Sequence, residues 1–477
     1  MIASQTLDAN WSQFHSNVAV ISAEGERLTY QQLAGETDAI FPPMERKELV
    51  LLVTDNSPAS LIVYLAALRT GRAVMLQPAT VVADRLDDLI TCYQPDWLWR
   101  AGKLISLPSN VAGRLPVHPE LAVLLSTSGS TGSPKQVRLS YTNIHANARS
   151  IASYLQLTPH ERPLAHLPMS YSYGLSVINS HLLVGATVLL TADSMMERRF
   201  WQFCREQQAT SLSGVPYHYE MLERLRFQRM DLPALTTLTQ AGGRLATDKV
   251  QAWAEWSRNN GKYFIPMYGQ TEATARISYL PAERVLEYPQ CIGIAIPDGQ
   301  LQLQDEDGAE ITAVDQPGEL IYQGPNVMMG YANSRDDLMR GNETPALSTG
   351  DIACRNSRGL YYIVGRKKRF IKLFGVRTSL DEVEQRLRQQ WAATNTLGVE
   401  HVACCGQDQQ LCIAVAGKGI AANVLQLSAS QYLGIHPSVV QVKVLDELPV
   451  TEAGKINYVL LQSCFDSDDA PSRSAPL

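Results

Sequence analysis

The chain has no excess of positive charge: 41 Lys and Arg against 47 Asp and Glu leave a net charge of −6. A protein that grips a phosphate backbone would show a basic face, so nucleic acid is not expected as a partner. No apolar run reaches membrane-spanning length, and stable membrane insertion is therefore not expected either. The opening residues, MIASQTLDANWSQFH, lack both a basic start and an apolar stretch, so they do not read as a secretory signal and a cytoplasmic location is expected. The eight cysteines are scattered. The one close set, Cys404, Cys405 and Cys412, has neither C-x-x-C spacing nor a neighbouring His pair, which argues against a zinc or redox centre and for buried free thiols. The common nucleotide loop, G-x-x-x-x-G-K-[ST], cannot be threaded through the chain's most loop-like glycine segment, because Ser133, Pro134 and Lys135 follow Gly132.

What is present suits a multidomain globular enzyme. A length of 477 residues exceeds one compact core, and 45% hydrophobic with 18% charged residues is ordinary. Between Lys47 and Leu76 an apolar run, LVLLVT, is followed by Ser57 and Pro58 as a helix start. Leu61, Tyr64, Leu65 and Leu68 then recur at helical spacing, and Gly71 closes the helix before a second run, AVMLQ. Such strand, helix, strand units build parallel sheets covered by helices, and further alternation through HLLVGATVLLT, SLSGVP and LTTLTQAGG extends the α/β reading.

The stretch that organises the chain is Leu121 to Ser140. A short apolar strand, Leu121 to Leu125, feeds a loop in which Gly129 and Gly132 allow backbone N–H groups to converge on an anion. Thr127, Ser128, Ser130 and Thr131 add hydroxyls, and Lys135 adds a point charge. The composition is that of a phosphate cradle, although Ser/Gly-rich stretches also serve as flexible linkers.

The order of residues in TSGSTGSPK resembles the signature loop of the adenylate-forming superfamily, which includes acyl-CoA and aryl-CoA ligases, luciferases and the adenylation domains that load carrier proteins. The family pattern continues with Gly after the Lys, where this chain has Gln136. Four more segments follow in the family's order: Tyr268 to Ala273 (YGQTEA), Ser348 to Asp351 (STGD), Tyr361 to Arg366 (YYIVGR) and Leu448 to Ile456 (LPVTEAGKI). His166 to Leu175, HLPMSYSYGL, is similar to the acyl-pocket segment, and Gln240 to Arg244, QAGGR, to the segment along the adenine face.

The resemblance implies a fold and a chemistry. The fold is a large N-terminal domain of stacked α/β subdomains, 1–367, followed by a small mobile α+β domain, 368–465; the polar tail 466–477 reads as disordered. The cofactors implied are ATP, Mg²⁺ and a thiol, either coenzyme A or the phosphopantetheine of an acyl carrier protein, which would then be a partner. Nucleotide contacts fall to Thr127, Ser128, Gly129, Ser130, Thr131, Gly132 and Lys135, to Gly242, Gly243 and Arg244, and to Tyr268, Gly269, Gln270 and Thr271. Glu272 is the Mg²⁺ ligand, Asp351 takes the ribose hydroxyls, and Arg366 and Arg377 meet the nucleotide. Lys455 is the catalytic lysine of adenylation, Lys368 the interdomain hinge, and Lys372 the lysine that faces the site during thioester formation.

For the acid, Tyr171, Tyr173 and Gly174 line the pocket, with Tyr171 where many relatives carry His. Members that activate amino acids place an Asp in this region to pair with the desolvated ammonium. Tyr173 to Val177 contains no carboxylate, so the acid expected lacks an α-amino group, with a fatty or other hydrophobic acyl chain as the leading expectation. The alternatives are an amino-acid adenylating enzyme that loads a carrier protein, or a relative that binds nucleotide without chemistry; the joint presence of Glu272, Asp351, Arg366 and Lys455 argues against the last.

Overall fold

The structure is a computed structural model. It describes residues 7–108, 115–126, 135–367, 369–374, 376–394, 399–417, 421–451 and 455–466. Among them helices and strands alternate as an α/β protein, in two compact units: 1–301 with 321–347, and 302–320 with 348–477.

The first unit carries two large sheets. In the seven-stranded sheet the strands Leu49–Thr54, Ala73–Pro78 and Leu121–Ser126 run parallel, with Leu49 opposite Ala73 and Val74 opposite Val123. Leu49–Thr54 is buried along its whole length, and Leu121–Ser126 along all but its last residue, which is why they read as unbroken apolar runs rather than alternating ones. Ser57 caps the helix Pro58–Arg69 by accepting from Ser60 N–H at 3.2 Å, and Gly71 takes the left-handed φ of +79° that turns the chain back. The expected strand, helix, strand unit is therefore present with its predicted start and stop.

The nine-stranded sheet is parallel from Val18–Ser22 through Val188–Leu190, Pro163–Ala165, Ser211–Gly214 and Thr237–Gln240 to Tyr263–Tyr268, with antiparallel strands at both edges. The helices Pro58–Arg69, Tyr141–Tyr154 and Ser172–Leu183 share one continuous core with residues of both sheets. Every residue of Ser172–Leu183 is buried, as a helix enclosed on all sides requires.

One edge of the seven-stranded sheet depends on a buried cation. Arg138 is fully buried on the strand Gln136–Ser140. Its guanidinium donates to the carbonyls of Tyr331 (3.1 Å) and Arg340 and to the Glu343 carboxylate. These bonds hold the strand Gly330–Ala332 and the segment after it against the sheet.

The second unit begins around an antiparallel four-stranded sheet in which Leu347–Arg355 pairs with Tyr361–Arg366. A hairpin, Phe370–Leu373 with Val376–Ser379, leads into the helix Leu380–Thr394. Glu382 N–H donates to Ser379 Oγ at 3.3 Å, the N-cap half of the expected capping box, and Val383 and Leu387 are buried as its four-residue spacing predicts. A three-stranded sheet and the helices Ala422–Leu433 and Tyr458–Asp466 complete the unit.

Lys367, Lys368 and Arg369 are three consecutive cations. Lys368 lies outside the described residues, Lys367 pairs with Glu319 at 2.8 Å, and Arg369 is taken into a buried network instead. It donates to Asp381 (2.6 Å) and Glu384 (3.2 Å) and stacks on Tyr458, whose hydroxyl reaches the same Glu384 at 3.1 Å. All eight cysteines are unpaired and six are buried, as expected of free thiols. No helix among the described residues is long and apolar enough to cross a membrane.

The Arg138 cluster gives a stability test. Arg138→Ala leaves a carboxylate and several inward carbonyls without their donor, which is expected to cost about 3–5 kcal/mol. A denaturation midpoint equal to that of the parent protein would show that the cluster does not hold the edge.

Candidate active site

In a sheet of parallel strands the loops that leave the carboxyl ends gather along one edge, where ligands bind. Three of the sequence-predicted segments leave such ends in the nine-stranded sheet of the first unit. Tyr171 to Gly174 come after Pro163–Ala165, Gly242 to Arg244 after Thr237–Gln240, and Gly269 to Glu272 directly after Tyr263–Tyr268. Val215 and Pro216 open a helix after Ser211–Gly214. The cradle residues Thr127 to Gly132 follow Leu121–Ser126 of the other sheet and lie outside the described residues.

The turn after Tyr268 is built with little tolerance. A Cβ on Gly269 would stand 1.8 Å from the Ala275 carbonyl oxygen, so only glycine fits. Thr271 to Ala273 form one 3₁₀ turn, and Thr274 then takes a φ of +63°, a strained conformation for a β-branched residue. The strain is held by Asn326. Its amide donates to the Ala273 and Arg276 carbonyls, both at 2.8 Å, while its own carbonyl accepts from Thr274 Oγ1 at 2.6 Å and its side-chain oxygen from Tyr322 at 2.7 Å. Every polar atom of this buried amide is used.

On that turn the predicted residues meet partners that the sequence did not point to. Thr271 Oγ1 lies 3.2 Å from Ser172 Oγ, and Gln270 donates to the Tyr268 hydroxyl at 3.2 Å. The Tyr331 hydroxyl donates to Glu272 Oε1 at 3.0 Å, and Lys135 Nζ sits 3.5 Å from the centre of the Tyr331 ring. Burial, reinforced by Glu272, pushes the Tyr331 phenol well above its ordinary pKa, so it remains a donor. Tyr331 thus links the lysine of the cradle loop to the carboxylate of the turn. It comes from a three-residue strand, GYA, with no motif, and Asn326 and Ser172 were equally silent in sequence.

The donor set fits a magnesium ion bound together with a polyphosphate. Mg²⁺ is held by one or two carboxylates, with phosphate and water oxygens completing its shell. One oxygen of Glu272 is fixed by Tyr331, which orients the carboxylate, and no cluster of three or more acidic, His or Cys side chains forms among the described residues.

The pocket segment is equally constrained. A Cβ on Gly174 would lie 2.4 Å from the Pro168 carbonyl, so glycine lets the helix Ser172–Leu183 start against that backbone. Tyr171 precedes the helix as its N-cap residue. Tyr173 is buried with its hydroxyl 2.8 Å from Thr239 Oγ1, on the strand that leads to Gly242 and Gly243. Gly242 has a φ of +84°, Gly243 backs onto Pro216, and Arg244 is exposed. A small cavity of about 30 Å³ lies between these strands and the helices Tyr141–Tyr154 and Ser172–Leu183.

In the second unit Asp351 is buried in mid-strand, directly opposite Arg366, which donates to it at 3.1 Å. Asp351 N–H bonds Thr349 Oγ1, and Gly350 has a φ of +72°. An Asp after Gly is ordinarily a turn residue, but here it stands in a ladder. Lys372 is exposed on the hairpin opposite Arg377, whose side chain lies outside the described residues. The loop carrying Lys455 is closed by a bond from Thr451 N–H to the Lys455 carbonyl at 2.7 Å and by Val450 opposite Ile456, while 452–454 lie outside the described residues.

Residues 106–332 match the family model described as AMP-binding enzyme. The chain is 29% identical over 357 residues to a long-chain-fatty-acid–CoA ligase of Escherichia coli O157:H7, an alignment that covers 71% of this chain and 61% of that protein. It is 30% identical over 374 residues to an L-proline–[L-prolyl-carrier protein] ligase of Pseudomonas fluorescens, covering 75% of this chain and 71% of the other. The chain thus spans less than two thirds of the length of the fatty-acid ligases it matches. Its fold is that of O-succinylbenzoate coenzyme A synthetase from Bacillus subtilis in complex with AMP, with a TM-score of 0.79, 20% identity and 99% of each chain covered. A matched family model and 30% identity over most of both chains lead to one assignment: the protein belongs to the family of AMP-binding enzymes.

Proposed function

We propose that the protein is an AMP-forming acid–thiol ligase that activates a carboxylic acid lacking an α-amino group. The observation that carries this reading is the chain of contacts from Lys135 through Tyr331 to Glu272, with Thr271 next to Glu272 in the turn at the carboxyl end of a parallel strand. It supports a site in which a polyphosphate meets a cation, a carboxylate and a hydroxyl.

In the first half-reaction the substrate carboxylate attacks the α-phosphorus of ATP, forming the acyl–adenylate bond as the bond to pyrophosphate breaks. The nucleophile is already ionised at neutral pH and needs no general base. The protein's task is to bring two anions together and neutralise the charge that develops. Thr271 donates to the α-phosphoryl group, the cradle from Thr127 to Gly132 with Lys135 encloses the outer phosphates, and Lys455 supplies the cation. Glu272 holds the magnesium ion, whose contribution is to offset phosphate charge. Tyr268, Gly242, Gly243 and Arg244 flank the base, Asp351 accepts from the ribose hydroxyls, and Arg366 and Arg377 meet the nucleotide.

In the second half-reaction a thiol attacks the mixed anhydride carbonyl and AMP leaves. The acceptor is coenzyme A or the phosphopantetheine of a carrier protein, the two kinds of acceptor named in the relatives. Lys455 and Lys372 belong to one compact unit but to different steps, which calls for that unit to rotate. We assign the hinge to Lys368, between 1–367 and 368–465. The compact division at 347/348 does not bear on this, because a hinge is defined by where φ and ψ change and not by packing density.

Amino-acid activation is the second reading, favoured by the L-prolyl relative. It requires a carboxylate opposite the ammonium, and Tyr173 to Val177 has none. AMP release with a panel of acids, each supplied with coenzyme A and with a carrier protein, separates the readings and identifies the acceptor.

Two variants test the mechanism. Lys455→Ala is expected to lower acid-dependent pyrophosphate exchange by about a hundredfold or more while ATP binding is largely retained; exchange at the parent rate would remove Lys455 from the adenylation step. Lys368→Pro is expected to slow thioester formation far more than pyrophosphate exchange, and equal losses in both assays would remove the hinge.

A further inference from the structure

The cavity beneath Tyr173 is polar where an alkyl chain would want it apolar. Its floor is made by alternate residues of two paired strands, which all face one way: Ser211 and Ser213 beside Thr237 and Thr239. Four hydroxyls stand where a buried parallel sheet ordinarily presents Val or Ile. Ser213 and Thr239 satisfy one another at 3.0 Å.

Two further side chains lining this cavity each leave one polar atom unsatisfied. Arg276 is 3% exposed, its guanidinium lies over the Tyr173 ring at 4.0 Å and also meets Tyr154, and its Nε has no hydrogen-bond partner; the one carboxylate in the lining is Glu161, which accepts from Thr210. It forms no salt bridge among the described residues. His181, also 3% exposed, contacts the Val177 carbonyl through Nδ1 at 2.7 Å and leaves Nε2 without a partner. Burial lowers the His181 pKa to about 4, so the ring is neutral at pH 7, and with its proton on Nδ1 the Nε2 atom presents a lone pair. The cavity therefore holds a buried donor on a cation and a buried acceptor, both unused. An unmet polar group of this kind is costly, and more so when charged.

We infer that this cavity is the acyl-binding pocket and that it selects an acid bearing an oxygen group, a hydroxyl or a second carboxylate, at the end remote from the reacting carboxylate. The inference rests on the ligase reading for the location of the reaction. Ser172, at the start of the helix Ser172–Leu183, touches Thr271, and Val177 and His181 on that helix line the cavity. From Ser172 to His181 the helix rises roughly 13 Å; the cavity's free space of about 30 Å³ admits a small aryl or medium-chain acid only as its lining side chains turn aside. A hydroxyl there donates to His181 Nε2, and a carboxylate accepts from Arg276 and neutralises it. A methyl terminus does neither and leaves both groups desolvated and unpaired. Sites built to bond a substrate oxygen reject the analogue lacking it far more strongly than apolar pockets reject an extra one.

The test uses the full-length protein and matched pairs of acids: octanoate with 8-hydroxyoctanoate and with octanedioate, and 3-phenylpropanoate with its 4-hydroxyphenyl analogue. Binding is read by calorimetry without ATP, and adenylation by pyrophosphate exchange. The oxygen-bearing member of each pair is expected to bind at least tenfold more tightly. His181→Phe is expected to erase the hydroxyl preference and Arg276→Met the carboxylate preference. Equal or tighter binding of the plain acids by the parent protein overturns the inference whether or not the variants fold. Preferential binding of the oxygenated acids without any exchange keeps the pocket and sinks the ligase reading; exchange with the plain acids at equal or higher efficiency keeps the ligase and sinks the pocket.

Discussion

The parallel register from Val18–Ser22 to Tyr263–Tyr268 is the constraint on which the rest of the first unit depends. Strands that run the same way must send their connections back across a face, so their carboxyl ends collect at one edge. Segments separated by about a hundred positions, such as Tyr171 and Thr271, become neighbours for that reason alone, and Ser172 and Thr271 touch. An antiparallel arrangement of the same strands would have divided these loops between two edges. The glycines follow from the crowding that results: Gly174 and Gly269 are fixed by carbonyls at 2.4 and 1.8 Å from where a Cβ would stand, and neither needs an unusual φ.

The protein also uses buried polar groups as fixings. Arg138, Asn326 and Glu384 play the same part in different places. Arg138 anchors the strand that carries Tyr331, and Asn326 holds the strained turn after Glu272. In the second unit Glu384 gathers Arg369, Arg388, Tyr458 and the Cys404 N–H, so that the helix after the Lys455 loop is tied to the segment following Lys368. Desolvation raises the Glu384 pKa, and the two arginines beside it work against that rise. Buried groups of this kind add little net stability when satisfied, but their loss is expensive, so they specify one arrangement over its near neighbours.

Much of this was legible in the sequence where a local pattern carries the signal. Ser57, Pro58 and Gly71 announce a helix start and stop, and the run LVLLVT announces a strand buried on both faces, because caps and burial act within a few residues. The signature segments could be ordered for the same reason. Tyr331, Asn326 and Arg276 could not be found this way. Each acts on residues brought close by the fold, and GYA, PNV and ARI look like any loop or strand. The hydroxyl face of SLSG and TLTQ was visible as residues but not as a surface, since two strands must pair before alternate side chains line one cavity. The Arg369 network was hidden for a related reason: a run of three cations shows no partner until a helix placed beyond a hairpin brings Asp381 and Glu384 to it.

The cavity also bears on how one scaffold serves different acids. On the proposed reading the nucleotide side is built from backbone turns and charges that no acid changes, and Gly269 there admits no Cβ. The proposed pocket is different: its lining comes from side chains facing inward off rigid elements, so replacing Arg276, His181 or the paired Ser and Thr is expected to alter specificity without moving a strand. An apolar lining there would favour acids by chain length at about 0.8 kcal/mol per buried methylene, a graded scale with poor discrimination between neighbours. Unpaired polar groups work as a threshold instead, because a ligand either satisfies them or leaves them stranded. Similarity to fatty-acid ligases over the shared scaffold is therefore compatible with the proposed pocket of opposite polarity, since Arg276, His181 and the paired Ser and Thr lie outside the motifs that carry the family resemblance.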